Sequence, residues 1–154
     1  MDGVVADFDK YWVARHGSKK EWKDENFHND ILNEGLFANL EMMPGAEELL
    51  DEVRLIKKAY GCQVYMLTSL GSTDLNVGRE AATQKRDWLI KHDIEFMPIF
   101  VSYLEQKGYY ADATAILIDD NSRATNAFMQ GGGKAILHVN SDSTIIKLRQ
   151  LIER

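Results

Sequence analysis

The sequence predicts an alternating α/β fold in which a mostly parallel sheet is covered by helices on both faces. Short apolar runs alternate with helical segments from residue 46 onward, and Gly-rich or polar turns separate them. Polar side chains follow the apolar runs at once, as they do where buried strands end. With 154 residues, 45% of them apolar, the chain can bury one ordinary core, so we expect a single domain.

The first third of the chain is irregular. Residues 10–40 are dense in charged and aromatic side chains and predict one or two short helices. We interpret residues 10–43, approximately, as a small helical insertion. Pro44 and Gly45 then begin an amphipathic helix whose apolar residues recur at helical spacing as far as Tyr60, and Gly61 ends it.

The rest of the chain alternates between strands and helices. Residues 62–67 predict a buried strand, residues 70–78 a loop, and residues 79–92 a helix. Further strands are predicted at 98–101, 114–118 and 135–139, and further helices at 121–130 and 144–153. This order predicts parallel strands joined by crossover helices.

Composition limits the partners. A net charge of -6 and no Lys/Arg cluster argue against a nucleic-acid polymer, although a small anion could bind with the help of a metal ion. The single cysteine, Cys62, cannot form an internal disulfide, so we expect a buried thiol and a reducing cytoplasm. No signal peptide and no apolar run of about 20 residues is present, so we expect a soluble chain without a membrane partner.

Hydroxyl groups follow the first predicted strand. Thr68 and Ser69 stand at its carboxyl end, where ligands of such sheets bind, and hydroxyls and loop N–H groups suit phosphate oxygens. The alternative is that both residues only form a turn.

Two carboxylates follow a later strand directly. Asp119 and Asp120 come straight after Ile118, where like charges repel and desolvation is costly. Because Mg²⁺ prefers oxygen ligands and needs only one or two carboxylates besides water, it would relieve both costs. The alternative is a carboxylate that caps the helix beginning near residue 121.

A lysine on a predicted helix completes the set. Lys85 by itself could simply be solvated. Together with Asp2, however, these residues resemble the haloacid dehalogenase-like phosphohydrolase superfamily, whose order is Asp-x-Asp, Thr/Ser, Lys and an acidic motif. The resemblance is greatest to its 5'(3')-deoxyribonucleotidase branch, and the stretches that carry it are Asp2-Gly3-Val4-Val5-Ala6-Asp7-Phe8, Gly35-Leu36-Phe37, Lys85-x-x-Trp88-Leu89 and Leu117-Ile118-Asp119-Asp120.

The resemblance implies a Rossmann-like sheet with a small cap, and Mg²⁺-dependent hydrolysis of a small phosphomonoester such as a (deoxy)nucleoside 5'-monophosphate. It makes Asp2 the general acid and base and, through its carbonyl, a metal ligand, with Thr68 and Lys85 on the phosphoryl group. Ser69 would lie close to that group. Asp120 would bind Mg²⁺ directly with Asp119 in support. Phe8 and Phe37 would stack on a base, unless both are core residues.

The resemblance also places the family's nucleophilic aspartate directly before Met1, together with a first strand in the middle of the sheet. Loss of a covalent nucleophile costs on the order of a million-fold in rate. We therefore expect the natural gene product to extend upstream, or another segment to fill this place.

Three alternatives remain open. Val4 to Ala6 could form a short strand that makes Asp7 the nucleophile, although Lys10 and Tyr11 follow where the family has smaller residues. The chain could be a pseudo-phosphatase that binds a nucleotide or a protein without turnover. It could also be an assembly subunit whose exposed sheet pairs with a neighbour, and the sequence leaves a homodimer open.

Overall fold

The structure, a computed structural model, describes residues 1–19 and 22–153. Its strands are β1 (Tyr65–Ser69), β2 (Met97–Val101), β3 (Ile116–Asp119) and β4 (Lys134–Leu137). Its α-helices are α1 (Phe8–His16), α2 (Asp24–Glu34), α3 (Ala46–Tyr60), α4 (Leu75–Lys91), α5 (Ser122–Gln130) and α6 (Ser141–Ile152). The structure also contains the 3-10 helices Phe37–Asn39 and Leu104–Tyr110.

The strands form two parallel pairs. β1 pairs with β2, with Tyr65 opposite Met97, and β3 pairs with β4, with Ile116 opposite Lys134. Within residues 1–19 and 22–153, no ladder joins one pair to the other. The predicted α/β class and parallel pairing are therefore confirmed, whereas the four strands do not form the single continuous sheet that we expected.

Several elements begin earlier than predicted because a polar side chain caps them. α4 begins at Leu75, since the Asp74 carboxylate accepts hydrogen bonds from the Asn76 and Val77 N–H groups at 2.9 and 3.0 Å. α6 begins at Ser141, where the Asn140 side chain accepts from the Ser143 N–H at 2.9 Å. Both helix starts were missed because Asp74 and Asn140 lie in segments whose residues also favour turns.

The segment before β1 also differs from expectation. β1 begins at Tyr65 and runs to Ser69, so residues 62–64 belong to the connection from α3. Cys62 is consequently exposed, and the expectation of a buried thiol is wrong. The 3-10 helix Leu104–Tyr110 was not predicted.

The core lies on both sides of the strands. The larger cluster joins the amino-terminal turn to the helices α1 to α4, and Ile118 of β3 packs against it. The smaller cluster consists of Leu117, Ala124 and Phe128, and Leu67 of β1 packs against it. Both strand pairs thus contribute to both apolar layers, which holds the pairs together in the absence of a shared ladder.

The predicted helical insertion contains α2 and all of α1 except its first two residues, since α1 begins at Phe8. The Asp30 carboxylate on α2, only 1% exposed, joins them by accepting from Arg15 Nε at 2.9 Å and by contacting His16 Nε2 at 2.6 Å. An aromatic cluster fills the space between the insertion and the amino-terminal turn and consists of Phe8, Trp12, Trp22, Phe27 and Phe37. Part of the segment, residues 20 and 21, lies outside the described residues.

One buried amide fixes the insertion to α4. Gln84, 5% exposed, donates from Nε2 to the Ile31 carbonyl at 2.7 Å and accepts from the Phe37 N–H at 3.1 Å. Because Gln84 directly precedes Lys85 in α4, these two hydrogen bonds also help to position Lys85. Among the described residues, no helix has the length and apolar character required to cross a bilayer.

We predict that Gln84→Leu lowers the free energy of unfolding by about 2 to 4 kcal/mol, because it leaves the Ile31 carbonyl and the Phe37 N–H buried without partners. The matched control is Thr83→Val on the exposed face of the same helix, which should cost less than about 0.5 kcal/mol. Denaturant unfolding of both variants measures the difference, and equal losses would contradict the assigned role.

Candidate functional site

A tight amino-terminal turn carries Asp2 to the strand ends. The Met1 carbonyl accepts hydrogen bonds from the N–H groups of Val4, Val5 and Ala6 at 3.2, 2.9 and 3.2 Å, and Gly3 N–H donates to the Ala6 carbonyl at 2.8 Å. Residues 3–5 are therefore a turn and not a strand. The Asp2 carboxylate is held beside the carboxyl end of β1.

Lys85 is the centre of the site. Its side chain is fully buried, and its ammonium group donates to Asp2 Oδ2 at 2.5 Å, Thr68 Oγ1 at 2.8 Å and the Ser69 carbonyl at 2.8 Å. The ammonium also lies 4.1 Å from the centre of the Phe37 ring. Burial lowers the pKa of Lys85, and the Asp2 carboxylate opposes this shift. The structure therefore brings Asp2, Thr68, the Ser69 carbonyl and Phe37 around Lys85, all residues that the sequence analysis had selected.

The two predicted hydroxyls lie differently. Thr68 is 1% exposed, and since its oxygen accepts from Lys85, its own O–H remains available as a donor. The Ser69 hydroxyl instead donates to the Ser102 carbonyl at 3.0 Å and accepts from the Gly71 N–H at 3.2 Å. Ser69 contacts the Lys85 ammonium through its backbone carbonyl and not through its hydroxyl.

Asp119 is paired with a second buried lysine that the sequence analysis missed. Asp119 Oδ2 accepts from Lys107 Nζ at 2.5 Å, and the two residues are each 3% exposed. Asp119 Oδ1 accepts from the Asn121 N–H at 3.0 Å, while the Asn121 side chain caps α5. Lys107 lies in the unpredicted 3-10 helix, and its polar surroundings in the sequence gave no sign of burial.

Asp120 faces the amino-terminal turn. A Cβ atom built on Gly3, whose φ is +71°, would lie 2.0 Å from Asp120 Oδ2, so the glycine lets the backbone approach the carboxylate. Burial, and after it the neighbouring Asp119 carboxylate, raises the pKa of Asp120, with a smaller contribution from Asp2. The dipeptide Asp2-Gly3 thus extends from the end of β1 to the end of β3.

A cation would suit the carboxylates at the carboxyl ends of β1 and β3. Asp2 Oδ1 is buried without a hydrogen-bond partner, and burial together with the neighbouring Asp119 carboxylate raises the pKa of Asp120. No cluster of three or more His, Cys, Asp or Glu side chains suited to a metal occurs within the described parts of the chain. Mg²⁺ commonly takes one or two carboxylates and completes its shell with water, so Asp120 and Asp2 are the residues that would hold it.

The two candidate stacking residues lie in the aromatic cluster. Phe37 is 2% exposed, and one neighbour of its ring is the Lys85 ammonium. Phe8 is half-buried, its ring centre 5.8 Å from that of Trp12 and 6.3 Å from that of Phe37. Phe8 is thus the more accessible of the two.

The short strand at Val4 to Ala6, on which the alternative of Asp7 as nucleophile rests, is not formed. Asp7 Oδ1 accepts from the Lys10 N–H at 3.0 Å and caps α1, and no strand precedes it in the described amino-terminal segment. The Asp7 N–H donates to the Glu41 carbonyl at 2.8 Å, which ties this residue to the end of the insertion. Asp7 therefore has a local structural role.

Comparison with known proteins gives no family assignment, because no family model and no curated protein matches the chain.

We predict that Gly3→Ala displaces the Asp120 carboxylate. The matched control is Gly17→Ala, since Gly17 has a φ of +76° and no atom within 4 Å of a built Cβ. Both variants should lose about 1 to 2 kcal/mol from backbone strain. Only Gly3→Ala should also abolish the rise in melting temperature caused by Mg²⁺, measured by calorimetry. If Mg²⁺ stabilised both variants equally, the prediction that Gly3 sets the position of the Asp120 carboxylate would be contradicted.

A second prediction follows from the raised pKa of Asp120. The ionised carboxylate is less favourable in the folded chain than in the unfolded one, so its cost is present at neutral pH and disappears as the pH falls into the ordinary Asp range. Without Mg²⁺, Asp120→Asn should therefore raise the stability at pH 7 by up to about 1 kcal/mol.

Urea unfolding of Asp120→Asn and the parent chain at pH 7 and pH 4 tests this expectation. The increase in the free energy of unfolding should be smaller at pH 4 than at pH 7. Asp87→Asn, an exposed change on α4, is the control and should be neutral at both. A loss of stability at pH 7 in Asp120→Asn would refute the electrostatic interpretation.

Proposed function

We propose that the chain carries the site of a Mg²⁺-dependent phosphomonoester hydrolase that acts on a small phosphorylated metabolite, with a (deoxy)nucleoside 5'-monophosphate as the proposed substrate. The observation that supports this most is the buried ammonium of Lys85, which donates to both Asp2 and Thr68 at the end of β1. In this proposal the two strand pairs belong to one Rossmann-like arrangement, and residues 10–43, approximately, are its cap. The single Cys62 suits a reducing cytoplasm.

The side chains present can perform the electrostatic part of phosphoryl transfer. Lys85 would neutralise charge on the phosphoryl oxygens, and the free O–H of Thr68 would donate to one of them. Asp2 Oδ2 is oriented by Lys85, which leaves the buried Oδ1 to hold a proton for the leaving oxygen. When bound by the Asp120 carboxylate and, as the resemblance implies, the Asp2 carbonyl, Mg²⁺ would supply further positive charge at the phosphoryl group.

The nucleophile is the open part of the proposal. At this edge, Asp2 is paired with Lys85 and Asp119 with Lys107, while Asp120 lies against Gly3. Each of these three carboxylates therefore has another role, and the resemblance puts the nucleophilic aspartate directly before Met1. The same observation supports the second candidate, a pseudo-phosphatase that binds a phosphorylated ligand or a protein partner without turnover.

Binding is tested first, on the chain as given. Mg²⁺ with inorganic phosphate at about 100 times the dissociation constant should stabilise the chain by about 2.7 kcal/mol, and Lys85→Met and Thr68→Val should respond less. Thr83→Val, on the exposed face of α4, is the control and should respond like the parent chain. If neither Mg²⁺ nor phosphate has an effect, the hydrolase and the pseudo-phosphatase that binds a phosphorylated ligand both fail.

Turnover is tested with two chains that carry a short extension ending in Asp or in Asn immediately before Met1. Phosphate release from deoxyuridine 5'-monophosphate with Mg²⁺ should be faster in the Asp version by at least about 10⁴-fold. Equal release from both would refute the assigned nucleophile. Ligand-induced stabilisation without release from either version would favour the pseudo-phosphatase.

A further inference from the structure

One face of α3 is exposed along most of the helix. Its residues recur at helical spacing, and we call this face the α3 stripe: Glu48, Asp51, Leu55, Lys58 and Ala59. Leu55 lies near the middle of the helix with 63% of its surface exposed. A single exposed leucine is ordinary on a protein surface, so the surroundings of Leu55 decide whether the stripe is a contact surface.

A groove beside the stripe continues the apolar surface. It lies between α3 and α6, has a volume of about 220 Å³, and its lining includes Leu55, Ile56, Tyr60 and Ile152. Tyr60 is 61% exposed. The two helices are held together by Arg149, which donates to both carboxylate oxygens of Glu52 at 2.7 and 2.6 Å. The groove therefore has walls of fixed spacing.

The charges of α3 complement those of the same helix in a reversed copy. Acidic side chains occupy its first turn and basic side chains its last turn. Asp51 and Lys58 lie on either side of Leu55, about two helical turns apart, and therefore on the same flank of the helix. In an antiparallel pair related by a twofold axis near Leu55, Asp51 of each copy faces Lys58 of the other.

The helix dipole accounts for only part of this charge pattern. Acidic residues in the first turn and basic residues in the last turn stabilise any helix. Asp51 lies in the second turn, where the dipole has little effect. Its carboxylate contacts Arg54 at 2.9 Å and is still 73% exposed. The carboxylate is therefore accessible to a lysine of another molecule.

We propose that the α3 stripe is a self-association surface, on which two copies of the chain pair antiparallel about a twofold axis near Leu55. Leu55 of each copy would enter a hole on the other that is formed by four neighbouring helix positions, Glu52, Leu55, Ile56 and Ala59. A specific interface buries about 1,200 Å² or more. The neighbouring α6, on which Ile146 is 57% exposed, would add apolar area beside the helix pair.

Sedimentation equilibrium in the presence of a thiol reductant tests the association, since the reductant excludes a disulfide through Cys62. The chain as given should form a reversible dimer between about 1 and 100 μM. Leu55→Glu should raise the dissociation constant at least about 100-fold, because it places two carboxylates at the centre of the contact. The matched control is Ile90→Glu, since Ile90 is 74% exposed on α4, and it should leave the constant unchanged.

A chain that stays monomeric up to about 100 μM would overturn the proposal. Equal effects of the Leu55 and Ile90 substitutions would overturn it as well. Melting temperatures of both variants show that each one is folded, and Glu is compatible with an exposed helix position.

Exchanged charges test the antiparallel orientation. Asp51→Lys and Lys58→Glu each place like charges opposite one another, so each variant alone should dimerise at least about tenfold more weakly. An equimolar mixture of the two should recover dimers of mixed composition, because each copy then meets the opposite charge. Asp51→Lys also makes the chain less negative than its net charge of -6, so association governed by net charge alone would become stronger. Stronger association of this variant, or a mixture that stays monomeric, would overturn the proposal.

The inference goes beyond the proposed function and is independent of it. Association is measured without Mg²⁺ or a phosphorylated ligand, so its failure is distinguishable from the failure of phosphate binding.

Discussion

The buried ammonium group of Lys85 is the constraint on which the rest of the structure depends. A charged lysine without contact with water is stable only if its donors all find acceptors, and here they come from Asp2, Thr68 and Ser69. Asp2 lies 83 residues away in sequence. The amino-terminal turn, the end of β1 and α4 must therefore all be in place together, and Gln84 extends the same requirement to the helical insertion.

This arrangement also determines what an anion must do to enter the site. All three Lys85 donors are in use, so a phosphoryl oxygen can reach the ammonium only by replacing one of the present acceptors or by sharing a donor. Asp2 is the acceptor best able to change, because its other carboxylate oxygen has no partner and its side chain is 26% exposed. Binding would then couple the anion to the position of Asp2, which also faces the proposed cation.

Much of the site could be predicted because its residues follow directly from strand ends. Thr68 and Asp119 each lie at the end of an apolar run, and Lys85 lies on the buried face of an amphipathic helix. Lys107 could not be predicted, since its burial depends on packing of the 3-10 helix against α5 and on an ion pair with a residue 12 positions away. No local pattern encodes such a contact.

The individual elements of the fold could be predicted where their signals are local, but the way the strands pair could not. Helical spacing identified α3 from Ala46 to Tyr60, with Gly61 in a left-handed conformation after it, because amphipathic spacing and a C-terminal glycine are both local. The starts of α4 and α6 were missed where Asp74 and Asn140 caps lie in segments that also suit turns. The division into two strand pairs could not be predicted from any single segment, because it depends on which strands pair with each other across the fold.

The exposed Cys62 has a consequence for how the molecule behaves outside a reducing environment. It is the single cysteine in the sequence and lies on the surface between α3 and β1, so oxidation can link it only to another molecule. The product would be a covalently bridged pair of chains that a thiol reductant separates. Because any apolar contact between copies would survive that reductant, the two kinds of pair are chemically distinct.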